Sequence, residues 1–257
     1  REEIYDLLDS VCGARLTVSY VRIGGVAQDV PDDFDARCQN ALKWIREVAL
    51  QMENLLTRNS IFVNRFKDVG VFSKEDALSY GWVGPCLRGS GIGYDIRKDH
   101  PYSGYDQYDF DVPVGTVGDC YDRYLVRVEE IKQSARIIEQ ALGKLPKGDF
   151  ITHDRKVALP PKSEVYSNIE SLMNHFKLVY DGILAAPGEV YGYVEGGNGE
   201  LGYYIVSDGK KYPTRVKVRP PCFNIYQAYP EMIKGTMIAD AVAMIGGLNV
   251  VAGELDR

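Results

Sequence analysis

Residues 86–98 read CLRGSGIGYDIRK. Glycines recur at 89, 91 and 93 with basic residues on either side, and how they are used decides the fold. A dinucleotide loop requires G-x-G-x-x-G between a strand and a helix, and would make the chain a parallel α/β protein. Here the spacing is G-x-G-x-G, the following YDIRKDHPYSGYD carries no helical stripe, and no G-x-x-x-x-G-K-[ST] occurs. Spacing and context both argue against a phosphate cradle. The glycines are expected to permit positive φ or the close approach of another backbone segment. Arg88 is then expected to be a buried or interface arginine paired with a carboxylate.

Working outward, helical periodicity dominates. Residues 2–11 place Ile4, Leu7, Leu8 and Val11 on one face, and Gly13 is the stop. Residues 14–26 read as an extended segment entering a turn. An amphipathic helix is predicted over 31–59, and a short one over 73–81 with Ser73 and Asp76 imitating a capping box. Residues 87–118 look irregular and are rich in tyrosine, as a functional or self-packed loop would be. Long helices follow over 118–143 and 163–182.

From residue 187 the pattern changes. Strand-like runs alternate with GGNG and SDGKK turns, predicting a three-stranded meander to residue 220. A final helix is expected over 230–247, then an extended tail over 248–257. The order is helices, strands, helix. It implies an α+β fold with a mainly helical core and a small antiparallel sheet near the C-terminus. A single domain is expected: a helical core over 1–186, the meander over 187–220, and the terminal helix and tail over 221–257.

Composition bounds the function. Of 257 residues, 45% are hydrophobic and 26% charged, which suits a globular chain. The net charge of -6 argues against nucleic-acid binding. The longest apolar run, 237–253, is interrupted by Asp240, Gly246, Gly247 and Asn249, and is too short for a membrane span. Five cysteines form no CxxC pair and three histidines are scattered, so no metal site is expected from this chain alone. The odd cysteine count favours free thiols in a reducing compartment, with Cys86 and Cys120 as small buried hydrophobes. The opening REEIYDLLDS has no apolar leader and no initiator Met, which reads as a segment of something longer.

Several long stretches carry a family resemblance. They are GARLTVSYVRIGGV (13–26), LRGSGIGYDIRK (87–98), YDQYDFDVPVGTVGDCYDRYLVRVEEIKQS (105–134), SLMNHFKL (171–178) and GELDR (253–257). Together, and in order, they resemble the D, or 49-kilodalton, subunit of respiratory complex I, the NADH:quinone oxidoreductase. That family is itself similar to the large subunit of nickel–iron hydrogenases, with the metal-binding cysteine pairs lost.

The resemblance implies a peripheral subunit of a proton-pumping complex. It would lie on the cytoplasmic side of a bacterial inner membrane, or on the matrix side of the mitochondrial one, with membrane contact only through the complex. NADH and flavin would sit on other subunits. The quinone substrate would lie between this subunit and the small subunit that bears a 4Fe-4S cluster. The stretch 13–22 would face that cluster through Thr17 and Arg22, Thr17 standing where many members have a histidine. The tail NVVAGELDR would wall the quinone cavity through Asn249, Val251, Gly253, Glu254, Asp256 and Arg257. Asn249 stands where Asp is usual, and Ala252 where Phe is usual. Arg88, Gly89 and Gly91 would belong to an interface with the cluster-bearing subunit. Family members carry the main quinone-headgroup His and Tyr in a preceding half, so the chain by itself is expected to be inactive. Two rival readings are a non-catalytic scaffold or assembly fragment, and a subunit of a ferredoxin-linked membrane oxidoreductase.

Overall fold

The computed structural model describes residues 1–256; Arg257 lies outside the described residues. In chain order, α1 (Glu2–Cys12) is followed by a ribbon of β1 (Val21–Arg22) and β2 (Gly25–Val26). The helices α2 (Phe34–Met52), α3 (Ser60–Phe66), α4 (Lys74–Ser79), α5 (Gly84–Gly89), α6 (Ile96–Asp99) and α7 (Cys120–Leu142) come next. Then come α8 (Lys162–Ser167), α9 (Ile169–Tyr180), and the strands β3 (Gly188–Gly196), β4 (Gly199–Ser207) and β5 (Arg215–Arg219). The last helices are α10 (Pro221–Gln227), α11 (Tyr229–Met232), α12 (Ile238–Leu248) and α13 (Ala252–Leu255). The α+β expectation holds: the protein is largely helical, and one antiparallel sheet in the order β3-β4-β5 lies near the C-terminus. No described helix is long and apolar enough to cross a membrane.

The chain divides into two compact units. The first comprises Arg1–Trp44, Lys144–Val190 and Ile205–Val216. Its opening helix stops where the sequence says it should: Gly13 adopts φ 68° and returns its amide to Asp9 O. In the β1–β2 ribbon Val21 pairs with Val26 and Arg22 with Gly25. The ribbon is buttressed by residues 150–152, where the Val26 amide donates to Phe150 O at 3.0 Å and the Thr152 amide to Gly24 O at 2.8 Å. Gly25 is required there, because a Cβ would stand 2.3 Å from Phe150 O.

The second unit comprises Ile45–Gly143, Tyr191–Tyr204 and Lys217–Arg257. Its core gathers Phe72, Trp82, Cys86, Cys120, Met244 and Leu248, with the Phe72 and Trp82 rings stacked at 4.4 Å. Both α5 and α12 pack on α7. Small residues allow the approach: a Cβ on Gly89 would sit 2.9 Å from Arg123 Cγ, and one on Gly247 3.2 Å from Cys120 Sγ.

Several boundaries differ from the periodicity. The helix predicted over 31–59 ends as α2 at Met52, winds into a π-turn over Glu53–Thr57, and restarts as α3 where the Asn59 side chain accepts the Ile61 amide. The helix predicted over 163–182 breaks at Asn168, which is extended and whose side chain caps α9 through the Glu170 and Ser171 amides. The stretch predicted irregular contains α5, α6 and a 3-10 turn over Tyr105–Gln107. The helix predicted over 230–247 is α11 and α12, separated around Gly235 at φ 75°. The tail is not wholly extended, because 252–255 close one helical turn as α13. Helix α10 was not anticipated; Pro221 occupies its first position, where the missing amide costs nothing.

Candidate functional site

The opening glycines serve the backbone, and Arg88 is an internal ion-pair residue. It lies on α5 at 1% exposure. Its Nε donates to Glu130 Oε1 at 2.8 Å, and its Nη1 donates to Glu195 Oε1 at 3.0 Å and to Tyr94 O at 2.9 Å. Asp95, which caps α6, stands 3.5 Å from Nη1 and is also held by Arg97 at 2.6 Å. Three carboxylates therefore face two guanidinium groups in a nearly dry setting. Burial would raise the Asp95 carboxyl, but the Arg97 hydrogen bonds and the Arg88 charge outweigh it and hold the group below its ordinary value. For Glu195 burial wins: its carboxyl is pushed up, with Arg88 only partly offsetting. Gly91 takes φ 90°, and a Cβ there would meet Lys74 Cε at 2.7 Å. Positive φ and close approach are thus both realised.

The tail forms a second cluster, around Cys222. Pro220 and Pro221 have no amide hydrogen, so Cys222 supplies the first free donor of α10. That amide donates to Glu254 Oε2 at 2.9 Å. Asn249, the αL cap of α12 at φ 54°, donates from Nδ2 to Asn198 Oδ1 at 2.8 Å. Asn198 in turn donates to Cys222 Sγ at 3.3 Å, and the Val251 amide reaches the same sulfur at 3.5 Å. Burial, the hydrogen bond to Glu254 and the Glu254 charge push the Cys222 thiol up to about 11. The thiol stays protonated near neutral pH, which makes it a structural donor and not a nucleophile.

Glu254 is half-buried, while Asn249, Val251, Gly253 and Asp256 are exposed. The tail therefore presents one exposed side and is pinned on the other by Asn249, Val251 and Glu254. Thr17 and Arg22 belong to the first unit, and both are exposed there. Their neighbours Leu16, Val18, Val21 and Ile23 are exposed apolar residues. Arg22 and Ile23 also line a groove walled by Ile151, Val157, Leu178 and Ile183.

Cys222 and Asn198 escaped the sequence reading. The Pro-Pro start of α10 was the one local signal that could have exposed Cys222, and nothing local marks Asn198. The tyrosine-rich reach is packed by its own rings, with Tyr102, Tyr108 and Phe110 edge-on to Tyr105. Cys86 and Cys120 are both buried. Among the described residues, no three His, Cys, Asp or Glu side chains are placed to hold a metal ion.

Comparison with known proteins gives this geometry a context. A family model described as respiratory-chain NADH dehydrogenase, 49 Kd subunit, matches residues 1–257. The C/D subunit of the NADH-quinone oxidoreductase of Bdellovibrio bacteriovorus is 52% identical over 257 residues, which is all of this chain and 46% of that protein. The D subunit of the NADH-quinone oxidoreductase of Myxococcus xanthus is 49% identical over the whole chain and 62% of its own length. The D subunit of the Methylacidiphilum infernorum enzyme is 47% identical with the same coverage, 100% and 62%. The chain thus spans between 46% and 62% of the length of these relatives. With a match that runs the full length of the sequence, the chain belongs to the 49-kilodalton subunit family of the respiratory-chain NADH dehydrogenase.

Proposed function

We propose that this chain acts within a multisubunit, proton-pumping NADH:quinone oxidoreductase, where its C-terminal tail walls the quinone cavity. NADH and flavin are held by other subunits. Electrons reach the quinone from a 4Fe-4S cluster on a neighbouring small subunit, which Thr17 and Arg22 face. Arg88, Gly89 and Gly91 shape the segment that meets that subunit, Arg88 by its internal ion pairs and the glycines by close packing. The chain itself lies peripherally, on the cytoplasmic side of the membrane in a bacterium or the matrix side in a mitochondrion, and meets the membrane only through the complex. This chain binds no cofactor of its own and is inactive alone.

One observation carries the reading. The tail resembles a quinone-cavity segment, and Glu254 and Asn249 fasten it to the second unit, leaving Val251, Gly253 and Asp256 exposed. A tail so fastened is preorganised, and preorganised dipoles and protonatable groups are what a site where charge develops needs. The test is Glu254→Gln, which keeps the acceptor but removes the carboxylate's charge and protonation from the wall, and, separately, deletion of Arg257 in the full complex. Both are expected to lower quinone reduction and leave the NADH-to-ferricyanide rate unchanged. If both rates fall together, assembly and not quinone chemistry explains the loss.

A further inference from the structure

Arg127 lies on α7 and is half-buried. Its Nη1 reaches Arg123 O within α7 at 3.4 Å, and its other contacts leave the helix. Nη1 donates to Gly247 O at 2.5 Å, and Nη2 to Leu248 O at 3.3 Å. Nη2 also lies 3.4 Å from Cys86 Sγ, and Nε is buried with no partner. Gly247 and Leu248 are the last two residues of α12. Their carbonyls are among those that a helix leaves unsatisfied at its C-terminus, where the backbone dipoles also concentrate negative charge. No basic residue of α12 itself answers that charge in its last turn. The compensating cation comes from a different helix, 120 residues earlier in the chain.

The next residue is Asn249, where the tail begins. Fixing the two final carbonyls of α12 fixes the direction in which the chain leaves it. The far end of the tail is fixed by Glu254 on Cys222. The tail is therefore a strap held at both ends, and the segment between is what faces outward.

We propose that Arg127 is a positioning residue for quinone reduction, setting the tail by clasping the Gly247 and Leu248 carbonyls. It touches no substrate and acts through residues 249–256. The proposal rests on the reading of the tail as a quinone wall. It differs from a packing role in what it asks of the side chain: a fork of donors for two oxygens, which lysine cannot reproduce and methionine lacks altogether.

The experiment compares wild type, Arg127→Lys and Arg127→Met in membranes carrying the full complex. Quinone KM and kcat are measured against the NADH-to-ferricyanide rate, and amide exchange of residues 249–256 is followed in the purified complex. The expected result in Arg127→Met is faster tail exchange, since two hydrogen bonds from a charged donor to the end of α12 are lost, and a quinone KM raised about tenfold by the displaced tail. Arg127→Lys should fall between, at an unchanged ferricyanide rate. If the methionine variant does not assemble, the lysine variant alone decides. Tail exchange at the wild-type rate in an assembled variant overturns the proposal. Faster exchange with wild-type quinone KM leaves Arg127 an anchor but removes the tail from the quinone site, which overturns Arg127's part in the reaction on different grounds.

Discussion

The Glu254 carboxylate accepts the amide hydrogen of Cys222 at 2.9 Å, across 32 residues of sequence. A residue of the terminal turn thereby caps the start of α10, and the two prolines before Cys222 leave that amide as the first that needs a partner. The same carboxylate helps keep the neighbouring thiol protonated. Glu254 thus ties the tail to the rest of the second unit with one hydrogen bond from a backbone donor to a charged acceptor.

Removing that acceptor should cost what a lost helix cap costs. Glu254→Ala is expected to lower thermal stability by about 1 kcal/mol. Glu254→Gln, whose amide oxygen can still accept, should lose only a fraction of that. Paired melting curves of the purified complex check this, and equal losses in the two variants would contradict the capping role.

The Cys222 thiol gives a pH signature. Its folded value, about 11, lies above the ordinary thiol value of 9.0, so the folded state holds this proton more tightly than the unfolded chain does. The resulting stability is fully present below the ordinary value and is lost as pH rises through the folded one. Wild type should therefore lose stability between about pH 9 and 11 more steeply than Cys222→Ala does. Thermal melts of both across that interval test it, and parallel curves would exclude a raised thiol.

The buried charge cluster predicts an asymmetry. Arg88→Met leaves Asp95, Glu130 and Glu195 without their shared cation, and should cost about 3–5 kcal/mol. Glu195→Gln should be nearly neutral, because burial already disfavours its ionised form. The sign follows from the raised carboxyl. Its contribution is present below the ordinary Glu value of 4.5 and is lost as pH rises through the higher folded value. Wild type should accordingly lose ground to Glu195→Gln on going from acid to neutral pH. Stability-against-pH curves of the two proteins provide the check.

Gly91→Ala is expected to destabilise by about 1–3 kcal/mol, the cost of holding a side-chain-bearing residue at strained backbone angles. The alanine Cβ would also press on Lys74, whose flexible end can move. Combining it with Lys74→Ala separates the two effects. If the double variant recovers most of the loss, crowding and not backbone strain was responsible.

Thr17 is exposed on the segment proposed to face the partner's cluster. A hydroxyl does not titrate near neutral pH, whereas imidazole does. Redox titration of that cluster between pH 6 and 8 should show almost no slope in the wild-type complex. Thr17→His should install one. A full one-proton slope in the wild type would rule this out.

How much was legible in advance varies by element. The stripes of α2 and α7, the Gly13 stop and the GGNG hairpin were readable because each depends on residues within a few positions of one another. The breaks at Asn168 and Gly235 were not, because the apolar period runs through both. Asn168 gains more by capping α9 than by continuing α8, and only the folded chain settles that competition. Arg88 lies between: its type and its glycine neighbours announced a buried ion pair, but not which carboxylates would form it.

By itself, then, the sequence determined the family, the α+β order of elements and the backbone use of the 89–93 glycines, all local or pattern-borne properties. Only the tertiary structure decided that Arg127 clasps the end of α12, that Glu254 caps α10 and that Asn198 meets Asn249. Those contacts join residues 120, 32 and 51 positions apart. No local propensity encodes such a contact, because its partners become neighbours only when burial of the shared core draws their helices together.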